Sequence, residues 1–289
     1  MKVAVTGANG KQGRAVVNLL RSQGHEVMGF DITPPMVKSN TYCVVDLTDY
    51  GQAVDAMMGV DSRHSGFDAV VHLAAIVGVG RHSDVETFHN NMTITYNVFQ
   101  AARRASIKNI VYASSETLLG MPFKIDPPYL PVDENYTARP ESTYALVKHL
   151  EEAMAIEMTR WDPALKITGL RFSNVMDESD YKRFPAFEDD PSEREWNLWA
   201  YIDHRDGAHA VLRALQWEGR GFEAFNIAAN DSVMSRPSRE LAAERFPDVQ
   251  LKRPLKGNES LMSCEKAKKI LGFSPQYSWR DVGTSSANR

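Results

Sequence analysis

The 289-residue sequence is poor in cysteine, in unbalanced charge and in long apolar runs. Its two cysteines, Cys43 and Cys264, lie far apart and lack the close spacing of metal ligands. Because we find no secretory signal, they predict reduced thiols and a cytoplasmic protein. No apolar run approaches the ~18 residues of a membrane span, so we predict no transmembrane helix and no membrane partner.

Charge and histidine spacing exclude two further classes of function. The 33 basic and 37 acidic residues give a formal net charge of −4 with both signs mixed, so we predict no binding to nucleic acid. The eight histidines include no His-x-x-x-His pair of the kind that binds a metal on a helix, and we predict no metal site.

β-rich runs alternate with amphipathic segments in the first part of the chain. We predict helices after the first strand, over residues 85–104 and, behind Pro140, over residues 141–161. The predicted strands are residues 2–6, 26–31, 41–46, 69–73, 109–114 and 166–171. This alternation predicts an α/β fold with a Rossmann-like, doubly wound parallel sheet.

The composition changes after the sixth predicted strand. Residues 177–199 combine acids, arginines, prolines and aromatics without clean periodicity, which is typical of a loop or lid. We therefore predict a dinucleotide-binding core over residues 1–175. A small C-terminal substrate-binding lobe and lid, with elements returning to the core, is predicted over residues 176–282, followed by a disordered tail at 283–289.

A glycine-rich run, TGANGKQG at residues 6–13, joins the first strand to the first helix. Gly7 permits a tight turn, Gly10 lets the backbone approach a pyrophosphate, and Gly13 lets the helix pack closely on the sheet. The helix N-terminus then faces the phosphates. We predict that this run binds a dinucleotide through Gly7, Asn9, Gly10, Lys11, Gln12 and Gly13.

Asp31 follows the second predicted strand directly. There its carboxylate can accept hydrogen bonds from the adenosine ribose hydroxyls and would repel a 2′-phosphate. The position favours NAD over NADP as the cofactor, although Lys11 and Lys38 leave dual specificity open.

Tyr144 and Lys148 lie four residues apart in a predicted helix, so their side chains share one face. An ammonium near a phenol lowers the phenol's pKa by favouring the phenolate. A phenol normally titrates near ~10 and needs such help to act as a general base at neutral pH. The pair predicts proton chemistry beside a bound dinucleotide, and an ordinary helix turn is the alternative interpretation.

These motifs together resemble the extended short-chain dehydrogenase/reductases, which include nucleotide-sugar epimerases, dehydratases and sugar dehydrogenases. Residues 6–13 resemble the family's glycine motif, residues 46–47 its adenine-contacting pair and residues 72–75 its strand-four motif. Residues 114–116 resemble the strand-five serine motif. The helix predicted at residues 85–104 lies between the strand-four and strand-five motifs. There the family has an asparagine with a structural and proton-relay role, and Asn91 matches it better than its neighbour Asn90.

The resemblance implies roles for individual residues. Tyr144 would exchange the proton of a substrate hydroxyl or carbonyl, Ser115 would hold that oxygen, and Lys148 would bind the nicotinamide ribose. Asn91 completes the implied catalytic set. Further implied cofactor contacts are Asp31, Asp46, Leu47, Leu73, Ala74, Ala75, Tyr144, Lys148 and Phe172. The implied substrate contacts are Ser115, Glu116, Asn174 and Trp199.

Two departures from the family pattern narrow the range of substrates and reactions. Trp199 stands where nucleotide-sugar epimerases offer an arginine to the substrate diphosphate, and tryptophan cannot supply that bidentate fork. Glu116-Thr117 replaces the Asp-Glu pair of the sugar dehydratases, which argues against a dehydratase. The candidate anchors for an anionic substrate group are His82, Arg183, Arg194 and Arg205, although charge near a cleft is usually just solvated surface.

We predict an NAD-dependent oxidoreductase that oxidises a secondary alcohol of a sugar, sugar acid or similar small polyol. The alternative is a nucleotide-sugar epimerase with tightly bound NAD. A dinucleotide sensor without chemistry would need no base, so Tyr144 and Lys148 argue against it. The resemblance also implies a homodimer, formed by the helices predicted at residues 85–104 and 141–161.

Overall fold

The computed structural model describes residues 1–35, 37, 39–59, 66–78 and 80–282. Lys38 and the tail predicted at 283–289 lie outside the described residues. The strands are β1 (Lys2–Thr6), β2 (Glu26–Asp31), β3 (Tyr42–Val44), β4 (Ala69–His72), β5 (Asn109–Ser115), β6 (Tyr129–Leu130), β7 (Lys166–Phe172), β8 (Val175–Met176), β9 (Ile202–Asp203), β10 (Gly221–Ile227) and β11 (Gln250–Leu251).

The helices surround the sheet and build the lobe. They are α1 (Lys11–Ser22), α2 (Tyr50–Met58), α3 (Asp84–Arg104), α4 (Thr143–Trp161), α5 (Glu178–Tyr181), α6 (Phe184–Phe187), α7 (Ser192–Glu195), α8 (His204–Gln216), α9 (Ser238–Arg245) and α10 (Glu265–Leu271). Short 3-10 helices span Glu116–Leu119 and Trp279–Asp281. Within the described residues, no helix has both the length and the apolar character needed to cross a membrane.

Seven of the described strands form one parallel sheet in the order β10-β7-β5-β4-β1-β2-β3. The strand order reverses between β1 and β4, which is the topological switch point of a doubly wound sheet. The prediction of a Rossmann-like α/β fold is therefore confirmed. The sheet also contains a strand that we did not predict, β10, which pairs with β7 along its whole length.

Both faces of the sheet are covered, so its strands read as nearly continuous apolar runs. Along β1, Val3 and Val5 pack in the apolar cluster that includes α1, α8 and α10, whereas Ala4 packs in the cluster that includes α2, α3 and α4. This alternation follows from the period of two in a strand.

A third apolar cluster forms the core of the lobe, and its members come from residues 118–136, 176–201 and 228–264. The segment predicted as a loop or lid contains α5, α6 and α7, each of four residues, and the aromatic side chains of α5 and α6 pack inward. In contrast, α8, β10 and α10 pack on the large sheet. The domain boundary at residue 175 stays a prediction.

Two long helices begin at well-defined caps and frame the site. Ser83 caps α3 by accepting a hydrogen bond from the Glu86 amide, and Ser142 caps α4 by accepting one from the Ala145 amide. By contrast, α1 begins after Gly10 without a side-chain cap. The first turn of α1 therefore leaves its amides available to an acceptor from outside the helix.

Candidate active site

The glycine run lies at the carboxyl end of β1, beside the switch point, and has the tight geometry that its sequence predicts. Gly7 has a φ of +65°, and a Cβ there would lie 2.6 Å from the Ala74 nitrogen. A Cβ on Gly13 would lie 2.1 Å from the Gly7 oxygen. On Gly10 the nearest atom among the described residues is that same oxygen, at 3.2 Å, so this position has an open side.

Asp31 shapes the neighbouring rim at the end of β2. Its carboxylate accepts hydrogen bonds from the Asn9 amide at 3.0 Å and from the Thr33 amide at 3.2 Å. The Asn9 side-chain amide donates in turn to the carbonyl oxygens of Thr33 and Pro34. Asp31 therefore braces the glycine run against the loop after β2, and Asn9 contacts that loop.

Further along this rim, the Asp46 carboxylate accepts hydrogen bonds from the amide and hydroxyl of Thr48, at 2.9 and 2.7 Å. Leu47 is buried, and its carbonyl oxygen accepts a hydrogen bond from Asn97 of α3. On the other side of β1, the amides of Leu73 and Ala74 donate to the Thr6 hydroxyl. Residues 73–75 thus follow β4, and their contact with the cofactor stays a prediction.

Lys11 and Gln12 contact the lobe. The Lys11 ammonium forms ion pairs with Asp177, at 3.3 Å, and with Asp180 of α5. The Gln12 side-chain amide donates to the His204 carbonyl oxygen at 3.2 Å. Both were predicted as cofactor contacts. In this structure the Lys11 side chain ties the glycine run to α5 of the lobe, and the Gln12 side chain ties it to the start of α8.

The predicted catalytic residues converge where β5 meets α4. Ser115 ends β5, and its hydroxyl hydrogen bonds with the buried Tyr144 phenol. The Lys148 ammonium lies 5.8 Å from the centre of the Tyr144 ring and donates to the Ala113 carbonyl oxygen at 2.9 Å. The tertiary structure thus brings together three residues that the sequence separates by up to 33 positions.

The net electrostatic effect on Tyr144 differs from the sequence expectation. Burial raises the pKa of Tyr144, and this outweighs the lowering by Lys148 and by the hydrogen bond with Ser115. The buried Glu151 carboxylate adds to the rise in the pKa. Lys148 therefore acts in the predicted direction, but the net pKa of the phenol is raised because desolvation dominates.

Of the two neighbouring asparagines of α3, Asn91 is buried and Asn90 is half-buried. Its side-chain nitrogen donates to the Ile76 carbonyl oxygen at 2.9 Å, and its side-chain oxygen accepts from the Ile76 amide at 2.8 Å. The Asn90 side chain donates to the same oxygen of Asn91 at 3.0 Å. Asn91 therefore pins the loop after β4, and its proton-relay role stays a prediction.

Two predicted substrate contacts join a buried polar cluster at the base of the lobe. The Glu116 carboxylate accepts hydrogen bonds from the Ser173 hydroxyl at 2.7 Å and the Asn197 amide at 3.1 Å. Burial raises the pKa of Glu116 to about 7. The Asn174 side-chain oxygen accepts a hydrogen bond from Arg194 at 2.8 Å.

Phe172 and Trp199 are both buried, in different apolar clusters. Phe172 ends β7 and packs in the cluster on the α1 side of the sheet. Trp199 packs in the lobe core, where its indole N–H donates to the Pro191 carbonyl oxygen at 2.8 Å. Trp199 is 2% exposed, so its ring lies in the lobe core and not on an open wall, and a substrate contact through it stays a prediction.

Of the four candidate anionic anchors, Arg194 is the one whose burial is notable, with 7% exposure. Arg205 forms ion pairs with Asp203 and Glu178, His82 pairs with Glu86, and Arg183 is exposed. Sequence reasoning missed Glu151, which forms an ion pair with Lys148 at 2.8 Å. Its spacing, three residues after Lys148 in the predicted helix, is the signal that could have found it.

The parallel sheet, the glycine run and the Ser115–Tyr144–Lys148 cluster together are typical of an enzyme that depends on a dinucleotide. The chain matches the model of the NAD dependent epimerase/dehydratase family over residues 3–228 and belongs to that family. The membership confirms the resemblance inferred from the sequence, and it confirms the predicted NAD-dependent enzyme with NAD as cofactor.

Curated relatives and solved structures agree with this family over nearly the whole chain. The UDP-glucose 4-epimerase of Corynebacterium glutamicum is 25% identical, over 96% of this chain and 92% of that protein. The UDP-glucose 4-epimerase of Pisum sativum is also 25% identical, over 96% of this chain and 91% of that protein.

Among solved structures, a short-chain dehydrogenase/reductase superfamily protein from Agrobacterium tumefaciens with bound NAD has a TM-score of 0.73. It is 25% identical, with coverage of 99% of this chain and 96% of that one. The UDP-glucose 4-epimerase from Bifidobacterium longum, in complex with NAD+ and UDP, has a TM-score of 0.73 at 20% identity and shows the likeness of fold. The match covers 100% of this chain and 97% of that one.

Proposed function

We propose that this chain is a sugar oxidoreductase whose first step is the oxidation of a secondary alcohol, with Tyr144 as the general base. The observation that carries the proposal is the meeting of Ser115, Tyr144 and Lys148 at the carboxyl end of β5, near the switch point. In this family NAD supplies the hydride acceptor. Epimerisation of a nucleotide sugar and net dehydrogenation of a sugar acid share this first step.

Residues around the glycine run fit a bound dinucleotide. Gly10 has an open side, α1 begins without a side-chain cap, and Asp31 is half-buried at the end of β2. An uncapped helix start is suited to a pyrophosphate, because its free amides point at the anion. Gly10 and the first turn of α1 would hold the pyrophosphate, and Asp31 would accept hydrogen bonds from the adenosine ribose.

Each catalytic residue has a role that follows from its contacts. The Tyr144 phenolate takes the proton of the substrate hydroxyl, and Ser115 holds the substrate oxygen by a hydrogen bond. Lys148 supplies positive charge that favours the phenolate and can donate to the nicotinamide ribose. Asn91 keeps the loop after β4 in place beside the cofactor site.

As the complete reaction, the curated relatives favour epimerisation of a nucleotide sugar over net dehydrogenation. Both relatives described above are named UDP-glucose 4-epimerase, and the alignments span more than nine tenths of each protein. An epimerase reduces its own ketone intermediate from the opposite face, so it accumulates no NADH. We therefore place the nucleotide-sugar epimerase first, ahead of the dehydrogenase favoured by the sequence.

The second candidate is net dehydrogenation of a small sugar acid, and the observation that favours it is the buried Arg194. In the part of the chain that the structure describes, its guanidinium donates to neutral oxygens, those of Asn174 and Ala200. Its Nε atom is buried without a hydrogen-bond partner there. A cation held in this way beside Asn174 is suited to a substrate carboxylate. Trp199, in the lobe core, supplies no diphosphate anchor.

One experiment tests the first step and separates the two candidates. The purified protein is incubated with NAD+ and a panel of sugars, uronates, aldonates and UDP-sugars, while absorbance at 340 nm reports NADH and NMR reports the configuration at C4. Inverted UDP-sugar without NADH supports the epimerase, and NADH from a non-nucleotide sugar acid supports the dehydrogenase. Absence of both activities would contradict the proposed function.

Tyr144→Phe is the matched control for the chemistry, because it removes the phenolic hydroxyl and keeps the ring. We expect turnover to fall by at least ~100-fold, as for loss of a general base, while NAD+ affinity changes little. A sensor protein would be unaffected in its cofactor response. Full turnover by this variant would show that Tyr144 is not the base.

Arg194→Met separates the substrate classes. If Arg194 binds a substrate carboxylate, the KM for the acidic sugar should rise by ~10- to 100-fold, because a charged hydrogen bond is worth about 1.5–3 kcal/mol. The exposed Arg183→Met is the control and should leave the KM unchanged. An unchanged KM for the acidic sugar in Arg194→Met would contradict the second candidate.

We also propose a homodimer through α3 and α4. Both helices carry large exposed apolar side chains, which favour burial against a second surface. These are Val85, Tyr96, Leu146, Ile156 and Trp161. Sedimentation equilibrium should give a dimer mass, and Ile156→Asp should shift it toward monomer. A monomer at all concentrations would contradict this proposal.

The cytoplasmic location stays a prediction.

A further inference from the structure

We propose that Glu151 is a positioning residue of the active site, which holds the Lys148 ammonium in place and couples it to the glycine run. The inference rests on the proposed function, because it assigns Lys148 to the catalytic site. It depends on a set of buried contacts that extend from α4 through α3 and β4 to β1.

The first contact is the ion pair itself. The Lys148 ammonium donates to a Glu151 carboxylate oxygen at 2.8 Å, and both side chains are almost completely buried. A second donation goes to the Ala113 carbonyl oxygen of β5 at 2.9 Å. Two of the three ammonium hydrogens are therefore directed by the protein, which leaves the third for Tyr144 or the cofactor ribose.

The second oxygen of Glu151 extends the network into the neighbouring helix. It accepts a hydrogen bond from the Thr95 hydroxyl of α3 at 2.9 Å. Because that hydroxyl gives its hydrogen to Glu151, it accepts at 3.1 Å from the Nε2–H of His72 in β4. The Nδ1 atom of His72 then accepts from the Thr6 hydroxyl at 2.7 Å.

The network thus has one consistent direction of donation from Thr6 to Glu151. Thr6 is the last residue of β1 and the first residue of the glycine run. His72 is neutral in this arrangement, in agreement with burial, which lowers the pKa of His72 to about 3. The buried network therefore connects the start of the cofactor site to the catalytic lysine.

The ionisation of the pair follows from the same contacts. Burial lowers the pKa of Lys148, but Glu151, Tyr144 and Glu152 together raise it by more, so Lys148 stays charged to higher pH. Burial and the neighbouring Glu152 raise the pKa of Glu151 by more than Lys148 and Thr95 lower it. Because both Glu151 oxygens accept hydrogen bonds, the carboxylate is the form that suits this site. Its negative charge in turn raises the pKa of Tyr144.

Other titratable groups around the pair lie on α4 itself and on three further elements. Glu152, next to Glu151 on α4, is paired with Arg171 of β7 by hydrogen bonds of 2.9 and 2.7 Å. Tyr112 of β5 is neutral, because burial raises its pKa well above the ordinary value. Glu116, in the 3-10 helix, also raises the pKa of Tyr144. None of these groups is substituted in Glu151→Gln.

The test is the pH dependence of kcat/KM in Glu151→Gln. Loss of the negative charge should favour the Tyr144 phenolate and move the acidic limb down by about one pH unit. It should also let Lys148 lose its proton at lower pH, so the alkaline limb moves down as well. The exposed Glu157→Gln removes the same charge from the same helix and should move neither limb. Unmoved limbs in Glu151→Gln would overturn the proposal.

A binding readout separates failure of this proposal from failure of the proposed function. Calorimetry of NAD+ binding needs no turnover, and Glu151→Gln should lose affinity at least ~10-fold at pH 9 relative to pH 7, because Lys148 discharges. The parent protein and Glu157→Gln should not. A protein without turnover that shows this loss would contradict the oxidoreductase and keep Glu151 as the residue that positions Lys148. If the NAD+ affinity of Glu151→Gln changes with pH in the same way as that of the parent protein, the role of Glu151 is overturned.

A double variant covers the case in which Glu151→Gln does not fold. Breaking a buried ion pair leaves an uncompensated charge, so adding Lys148→Met should restore folding and raise the melting temperature above that of the single variant. Thermal unfolding of the parent, both single variants and the double variant measures this coupling. A double variant that is no more stable than Glu151→Gln would overturn the proposal.

Discussion

The contact between Gly13 and Gly7 makes a sharp prediction about the glycine run. In Gly13→Ala the new Cβ would lie 2.1 Å from the Gly7 oxygen and 2.8 Å from the Ala8 Cα. Atoms of the backbone cannot rotate away as a flexible side chain can. We therefore expect the start of α1 to move away from β1 by about an ångström before the contact becomes tolerable.

The expected magnitude is the difference of two effects. Overpacking of a tight interior contact costs up to about 3 kcal/mol. Alanine in a helix is better than glycine by about 1 kcal/mol. The clash therefore prevails by about 2 kcal/mol. Because the entropy of unfolding of a chain of 289 residues is about 0.6 kcal/mol/K, this lowers the melting temperature by roughly 3–4 °C.

Gly10→Ala is the matched control, because it adds the same methyl group three residues earlier. Its Cβ would lie 3.2 Å from the Gly7 oxygen, and the φ of −64° suits any residue. Its melting temperature should stay within about 2 °C of the parent. Its NAD+ affinity, however, should fall at least ~10-fold, because the methyl group takes up the space needed for a close approach of the pyrophosphate.

Thermal unfolding and calorimetry of NAD+ binding measure the two effects separately. Gly13→Ala should be destabilised even without cofactor, whereas Gly10→Ala should be impaired in binding alone. A parent-like melting temperature in Gly13→Ala would refute the packing argument. Parent-like NAD+ affinity in Gly10→Ala would refute the assignment of the pyrophosphate to this loop.

Three further predictions follow from the site. Because burial raises the pKa of Glu116 from 4.5 to about 7, the native protein binds more protons than the unfolded chain in this range, and its free energy of unfolding falls as pH rises from 4.5 to 7. Glu116→Gln should therefore lose less melting temperature than the parent between pH 5 and 8, and equal slopes would contradict this. Lys11→Ala should lower the free energy of unfolding by less than about 1 kcal/mol, because the Lys11 ion pairs are partly exposed. The same variant should release NAD+ faster in stopped-flow measurements than the control Lys182→Ala, which changes an exposed lysine. Trp199→Arg should lower the melting temperature by more than 5 °C without improving UDP-sugar binding, since it places a charge in the lobe core; tighter UDP-sugar binding would show that the position faces the substrate.

Sequence patterns determined the architecture of the core, because they record local requirements of the backbone. Alternating strands and helices predicted the parallel sheet, and its order confirms the Rossmann-like fold. The spacing of Gly7, Gly10 and Gly13 predicted a tight turn and a close helix, and both are present. The spacing of Tyr144 and Lys148 placed them on one face of a helix, as they are in α4.

Only the tertiary structure decided what surrounds these residues, since burial and partners come from elements far apart in the chain. The ammonium of Lys148 was expected to make Tyr144 more acidic, but desolvation and Glu151 outweigh it. Lys11 sits in the glycine run, yet its charge is paired with acids about 170 residues later. Trp199 was predicted to contact the substrate from its motif position alone, and the packing of the lobe buries it. A local pattern specifies which backbone geometry is allowed, whereas the pKa and contacts of a side chain depend on the whole fold that excludes water from it.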